Sequence, residues 1–266
     1  MSVAVEIAIE DLAGLEVAAT SGADRVELCI DLERGGLTPP PELVEECAHR
    51  AASLVSAREA KPHFDIHVLI RSRAERGDFL DHPEEFAYSP QEVELMAAQA
   101  GESVAAGAAG VVIGALTEDA RLDLPALETI RDGALIAGSS ALRGVTLTVH
   151  RALDALPGRT ERAEAVRILL GLGIHRVLTS GGAARALDGA EDLGAMVDAA
   201  EGLLDVCAGG GVRPADIADL ARRAGVADVH LSARRRRPGA PLEAGAPETR
   251  TDPAIVAAAV DAAGEL

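Results

Sequence analysis

The stretch Gly22–Pro39, GADRVELCIDLERGGLTP, decides how this chain is read. It places an alternating strand directly before a double glycine and a helix start. Successive strand side chains point to opposite faces, so Val26, Leu28 and Ile30 share one face and Arg25, Glu27 and Cys29 the other. Taken alone, an exposed strand could carry that pattern. The apolar chain around it argues for burial, and buried charges need partners and often belong to a site.

Working outward, the same unit recurs. A glycine closes a helix and a short apolar strand follows, at Gly22 (GADRVELC), Gly107 (GAAGVVIGAL), Gly173 (GIHRVLTSGG) and Gly225 (GVADVHLSAR). Glycine just past a helix end tolerates the left-handed backbone. Strand candidates lie at Val3–Ile9, Asp24–Ile30, His63–Ile70, Gly110–Ala115, Val145–His150, Arg176–Thr179, Leu204–Ala208 and Asp228–Ser232. Alanine-rich helices separate most of them, among them Asp11–Thr20, Pro41–Arg58, Pro90–Ala106, Thr160–Leu172 and Pro214–Ala224. Parallel βαβ units in this number predict a single α/β domain, a TIM (β/α)8 barrel over residues 1–266. The competing architecture is an open doubly wound sheet; no G-x-G-x-x-G follows the first strand. Two loops read as long and irregular, Arg71–Ser89 and Arg234–Asp252, and Pro253–Gly264 reads as a terminal helix.

Composition narrows the functional classes. Hydrophobic residues make up 48% of the 266 and aromatics only 2%, so aliphatic side chains must build the core. A formal net charge of -18 disfavours nucleic acid and anionic lipid as partners. The run Arg234–Arg237 reads as a solvated or subunit-contact loop within this acidic whole. The three cysteines, Cys29, Cys47 and Cys207, are sparse and scattered, as in a reducing compartment. Neither a leader nor a bilayer-spanning run is legible, and a cytoplasmic protein is expected.

In a parallel barrel, polar residues near strand C-termini face the interior and the site. Alternation then offers Glu6, Arg25, Glu27, Cys29, His67, Arg71, Arg73, Thr146, Thr148, His150, His230 and Ser232, with Arg151 and Asp154 just beyond one strand. Each has a plainer reading. Arg25 with Glu27 makes a barrel-bottom ion pair, His67 is packing, and Arg151 with Asp154 is a loop salt bridge. Convergence of Glu6, Glu27, Arg71, His150 and His230 on one axis nevertheless points to a catalytic pocket. Small polar residues supply an anion site: Ser180 and Gly181 after the sixth strand, Gly209, Gly210 and Gly211 after the seventh, and Ser232 after the eighth. Three glycines before Pro214 would let backbone N–H groups and a helix N-terminus face an anion. A second such seat is expected at the GGLTP of Gly35–Pro39.

The motifs ADRVELC with GGLTP, IRSR…GDF, GALTEDARLD, TVHRALD, HRVLTSGG, AGGGV and VHLSAR, in this order from Glu6 to Arg234, resemble the CutC copper-homeostasis family. That resemblance implies a cytoplasmic TIM barrel that self-associates as a homodimer or higher homo-oligomer and handles copper. It also implies Arg71, Gly77, Asp78 and Phe79 as matched positions in a loop lengthened by extra residues, including DHPEEFA. Cu(I) prefers soft thiolate and thioether donors, and Cys29 is the best soft ligand available. No C-x-x-C and no methionine-rich run accompanies it. Two functions therefore stand: copper binding through Cys29, or an enzyme acting on a small anionic, phosphorylated metabolite. In the second, Glu27 and His150 serve as acid and base, and Arg71 with Gly209–Gly211 holds the anion.

Overall fold

The computed structural model describes residues 3–74, 79–236 and 249–265. Eight parallel strands close on themselves: β1 (Ala4–Ile9), β2 (Arg25–Leu28), β3 (Asp65–Leu69), β4 (Gly110–Ile113), β5 (Thr146–Val149), β6 (Arg176–Thr179), β7 (Asp205–Gly209) and β8 (Asp228–Leu231). Closure is made by β8 pairing back onto β1, with Val229 opposite Val5 and His230 opposite Glu6. The ring excludes the open doubly wound sheet and establishes the TIM barrel. All four punctuating glycines, Gly22, Gly107, Gly173 and Gly225, lie at positive φ, where a side chain would be strained.

Outside the ring lie α1 (Leu12–Thr20), α2 (Pro41–Ala57), α3 (Pro90–Ala105), α4 (Leu124–Ser140), α5 (Arg159–Gly171), α6 (Ala190–Ala200), α7 (Ile217–Ala224) and α8 (Pro253–Gly264). The strand faces carrying Val26, Leu28, Val68, Val111, Leu147 and Val229 are buried against these helices in one continuous core. The seventh helix differs from expectation: Pro214–Asp216 is a 3-10 turn and the α-helix begins only at Ile217.

Small residues set a close contact between α3 and α4. A Cβ on Gly133 of α4 would enter the backbone of Ala97 on α3, and one on Gly101 would meet the Gly133 carbonyl at 3.2 Å. Because the obstacle is backbone, it cannot rotate away. Gly133→Ala is expected to cost roughly 1–3 kcal/mol by overpacking, despite alanine's better helix propensity. A denaturant midpoint equal to or above wild type would contradict this account of the contact.

The segment Arg234–Asp252 is not wholly irregular. Arg234–Arg236 (β9) pairs antiparallel with Thr249–Thr251 (β10). The arginine run is consequently a clamp. Arg234 donates to Thr249 Oγ1 at 2.7 Å and pairs with Glu10 and Glu33, and Arg235 pairs with Asp252 at 2.6 Å. Arg237 lies outside the described residues. So do Glu75, Arg76, Gly77 and Asp78 of the loop after β3.

Candidate active site

Barrels of this type usually fill their interior with branched apolar side chains. Here the N-terminal half is a charged plug. Arg25 Nε donates to Glu6 Oε2 at 2.6 Å, and its Nη2 reaches both oxygens of Asp228 at 2.9 and 2.8 Å. Arg176 bridges the same two carboxylates from the far side, at 3.0 Å to Glu6 and 2.8 Å to Asp228. Two guanidiniums thus match two carboxylates. The expected Arg25–Glu27 pair does not form. Residues two apart on one strand stack along the barrel axis, and the neighbouring strands β1 and β8 bring Glu6 and Asp228 closer. Burial alone would raise the Glu6 carboxyl, but Arg176, a hydrogen bond with His230 and Arg25 hold it well below the usual range.

His67 belongs to this plug, with Nδ1 at 3.3 Å from Arg176 Nη1. Burial pushes its imidazole down to about 3, so it is neutral packing.

Above the plug, His230 Nδ1 meets Glu6 Oε1 at 2.8 Å and its Nε2 lies 3.4 Å from Glu27 Oε2. Burial pulls His230 down, and the Glu6 hydrogen bond with the charges of Glu27 and Glu6 outweighs it, raising the pKa. Glu27 behaves differently. Burial dominates there and pushes its carboxyl up to about 7, with His230 opposing and Glu6 assisting. One imidazole therefore separates a firmly ionised carboxylate from one poised near neutrality.

Glu27 and His230 line a cavity of about 350 Å³ at the C-terminal mouth. Arg71, His150, Arg151, Gly210, Gly211 and Ser232, all just past strand ends, complete its polar wall. Leu69, Leu178 and Phe86 supply the apolar wall. Phe86 comes from the lengthened loop, beneath the Arg71 guanidinium at 5.1 Å. Arg73 does not reach the cavity. It staples that loop by donating to Glu92 at 2.8 Å and the Ala87 carbonyl at 2.6 Å.

His150 is buried, with Nδ1 accepting from the Ala152 N–H at 3.1 Å. Burial, followed by the charge of Arg71, pushes its imidazole down to about 3. Gly114 makes room for the ring, since a Cβ there would overlap it.

Arg151 is aimed by Asp154, as Nε–Oδ2 at 2.8 Å, and by Ser180 Oγ at 3.0 Å. Asp154 also accepts from Thr179 Oγ1 and from the backbone N–H groups of Ser180 and Gly182, at 2.6, 2.9 and 3.0 Å. The loop salt bridge read from the sequence is therefore the post that fixes the turn after β6. Ser180 and Gly181 support this turn and do not line the cavity. Gly209 packs against Leu178 beneath it.

Gly210 and Gly211 line the cavity, but the expected helix-end seat beyond them and the seat at the double glycine are built otherwise. The Arg213 N–H before α7 donates to Asp216 Oδ2 at 3.0 Å, so the protein's own carboxylate caps that end. At the double glycine, Gly35 and Gly36 donate to Leu32 and Asp31 at 3.2 and 3.1 Å, which spends their N–H groups. Sequence reasoning missed Arg176 and Asp228, which share parity with Ser180 and His230 and were legible by alternation. It missed Phe86 because nothing local announces that a loop phenylalanine turns inward.

A resident copper ion fits these residues poorly. Among the described residues, one trio of donors has ligand atoms within 4.8 Å of one another, Glu6, Glu27 and His230. Carboxylates and an imidazole are not the donors Cu(I) selects, and Glu6 is already matched by two guanidiniums. Cys29 stands apart from the trio, with Sγ 3.6 Å from the Ile9 carbonyl. Burial, then the charges of Glu27 and Glu10, pushes its thiol well above the ordinary value.

The molecule is thus a closed parallel barrel carrying a carboxylate–imidazole pair and two arginines at its C-terminal mouth. The sequence matches the CutC family over residues 3–235. A CutC family protein of Sinorhizobium medicae is 38% identical over 234 residues, covering 88% of this chain and 82% of that protein. One from Caulobacter vibrioides is 37% identical over 238 residues, covering 90% and 84%. The crystal structure of CutC from Streptococcus agalactiae superimposes with a TM-score of 0.71 at 24% identity, covering 86% of this chain and 98% of that one. The chain belongs to the CutC family.

Proposed function

We propose that this CutC chain is a barrel enzyme that moves a proton on a small anionic metabolite, with Glu27 as the base. The observation that carries this reading is the Glu27 carboxyl, buried at the cavity wall and poised at about 7. A base near the operating pH combines a useful ionised fraction with a real drive to take a proton. Arg71 and Arg151 give the same cavity two cationic anchors, and the apolar wall excludes water around them.

Glu27 must be ionised to act, so kcat/KM is expected to rise as pH increases through about 7. Glu27→Gln should lower it about 100- to 10,000-fold. Before a substrate is known, phosphorylated metabolites should raise the melting temperature, and Arg71→Ala should remove that response. A flat response across a broad set of them sinks the reading.

The Streptococcus agalactiae relative is named as a copper homeostasis protein. The second reading serves that role by holding Cu(I) at Cys29. One observation favours it: Cys29 packs with Leu69 and Leu32, which line the cavity, so the thiol sits just behind its wall. It predicts stoichiometric Cu(I) after reconstitution, lost in Cys29→Ser. Both readings place the chain in the cytoplasm, where its three free, buried cysteines stay reduced. Among the described residues, no helix is long and apolar enough to cross a membrane.

A further inference from the structure

The tautomer of His150 narrows the reaction class. Its Nδ1 accepts a hydrogen bond from the Ala152 backbone N–H at 3.1 Å, so in the neutral ring the proton sits on Nε2. That Nε2 is buried and has no hydrogen-bond partner among the described residues, although His150 lines the cavity. A buried donor left without a partner costs stability and is uncommon unless a ligand completes it. His150 is thus suited to donate at this site and unsuited to act as a base there.

Resting on the reading of Glu27 as the base, we propose that the enzyme deprotonates carbon adjacent to a carbonyl, with neutral His150 donating its Nε2–H to the carbonyl oxygen. The substrate class is a small carbonyl compound bearing a phosphate or similar dianion.

The placement supports the division of labour. Glu27 on β2 and His150 at the exit of β5 are three strands apart in a ring of eight, so they face a bound molecule from nearly opposite sides. The Glu27 carboxylate takes the proton from carbon. The C–H pair becomes the new C=C bond, and the carbonyl π pair moves onto oxygen, where His150 stabilises the enolate. Where the deprotonated carbon bears a hydroxyl, Glu27 then returns the proton to the former carbonyl carbon while the hydroxyl proton passes to the enolate oxygen, leaving a carbonyl at the first carbon and an alcohol at the second: an isomerisation with no net redox change and no co-reactant. Pairing a carboxylate base with a neutral imidazole donor is an effective arrangement for enolisation near pH 7. The groups facing His150 are Arg71 just past β3, Arg151 beside it and the Phe86 ring at 5.3 Å. Those facing Glu27 are His230, Glu6 and Arg176. Burial, joined by the charges of Arg71 and Arg151, keeps His150 from becoming an imidazolium.

Two measurements test this on the full chain. In 15N-labelled wild-type protein at pH 7, the His150 ring should show a neutral Nε2–H tautomer; an Nδ1–H tautomer or an imidazolium overturns the proposal. Calorimetry then compares inorganic phosphate with 2-phosphoglycolate, whose carboxylate imitates an enolate. Phosphoglycolate should bind at least about tenfold tighter, the worth of one good hydrogen bond to a charged group. His150→Phe should erase that advantage and leave phosphate affinity unchanged, and His150→Gln should restore part of it. If phosphate binds and phosphoglycolate gains nothing, or His150→Phe keeps the advantage, the enolisation proposal alone fails. If neither anion binds, the anionic-substrate reading fails and takes this proposal with it.

Discussion

Replacing Arg176 with leucine is expected to destabilise the barrel by roughly 3–5 kcal/mol, because it strands two buried carboxylates. Arg176 is almost fully buried and contacts Glu6 and Asp228 at once. Arg25 remains in the variant, but one guanidinium cannot match two carboxylates in a desolvated interior. The loss reflects uncompensated charge more than the net worth of the ion pairs, so it should depend on context. Arg176→Leu combined with Asp228→Asn should therefore recover a substantial part of the deficit, a coupling expected of groups in one network. Urea titrations of the two variants measure both quantities. A single-variant loss below about 1 kcal/mol, the size of an exposed pair, would show that the plug is solvated.

Asp154→Ala should cost roughly 3 kcal/mol or more and also weaken anion binding, since it leaves several buried donors unsatisfied. The carboxylate accepts from Thr179 Oγ1, Ser180 N and Gly182 N, and holds Arg151 Nε at 2.8 Å. Gly181 and Gly182 both sit at positive φ, 71° and 72°, so the turn after β6 lies in a region most residues avoid. Without Asp154, the turn loses the bonds that hold it there and Arg151 loses its aim across the mouth. Asp154→Asn keeps one acceptor oxygen and should lose less stability. It replaces the other oxygen with a donor facing Arg151, so anion affinity should fall nearly as far. An alanine variant with wild-type stability and phosphate affinity would remove Asp154 from any organising role.

Alternation made the inward set legible at Glu6, Glu27, Arg71, His150 and His230, because every second residue of a barrel strand must face the axis. The same rule reached Arg25 but misassigned its partner, since pairing across neighbouring strands depends on the stagger of the ring. Arg73 shows the limit past a strand end, where parity no longer fixes direction. It turned to Glu92 and the Ala87 carbonyl. The glycine loops illustrate a different failure. Residue type reports that an N–H group can face a ligand, but not that turn carbonyls have taken those of Gly35 and Gly36, or that Asp216 has taken the Arg213 N–H beyond Gly209–Gly211.

By itself the sequence determined the eight-unit barrel, its family and the cast of inward polar residues, since periodicity, helix-ending glycines and motif order are local properties of the chain. Only the tertiary structure decided what those residues do. The Glu27 carboxyl reaches about 7 because the fold buries it, against the opposing charge of His230, and Glu6 on β1 stays ionised because Arg176 and Arg25 close on it from other strands. His150 became a donor through one backbone N–H at Ala152. Protonation is set by desolvation and by charges a few ångströms away, and both are products of closure that no single stretch of sequence contains.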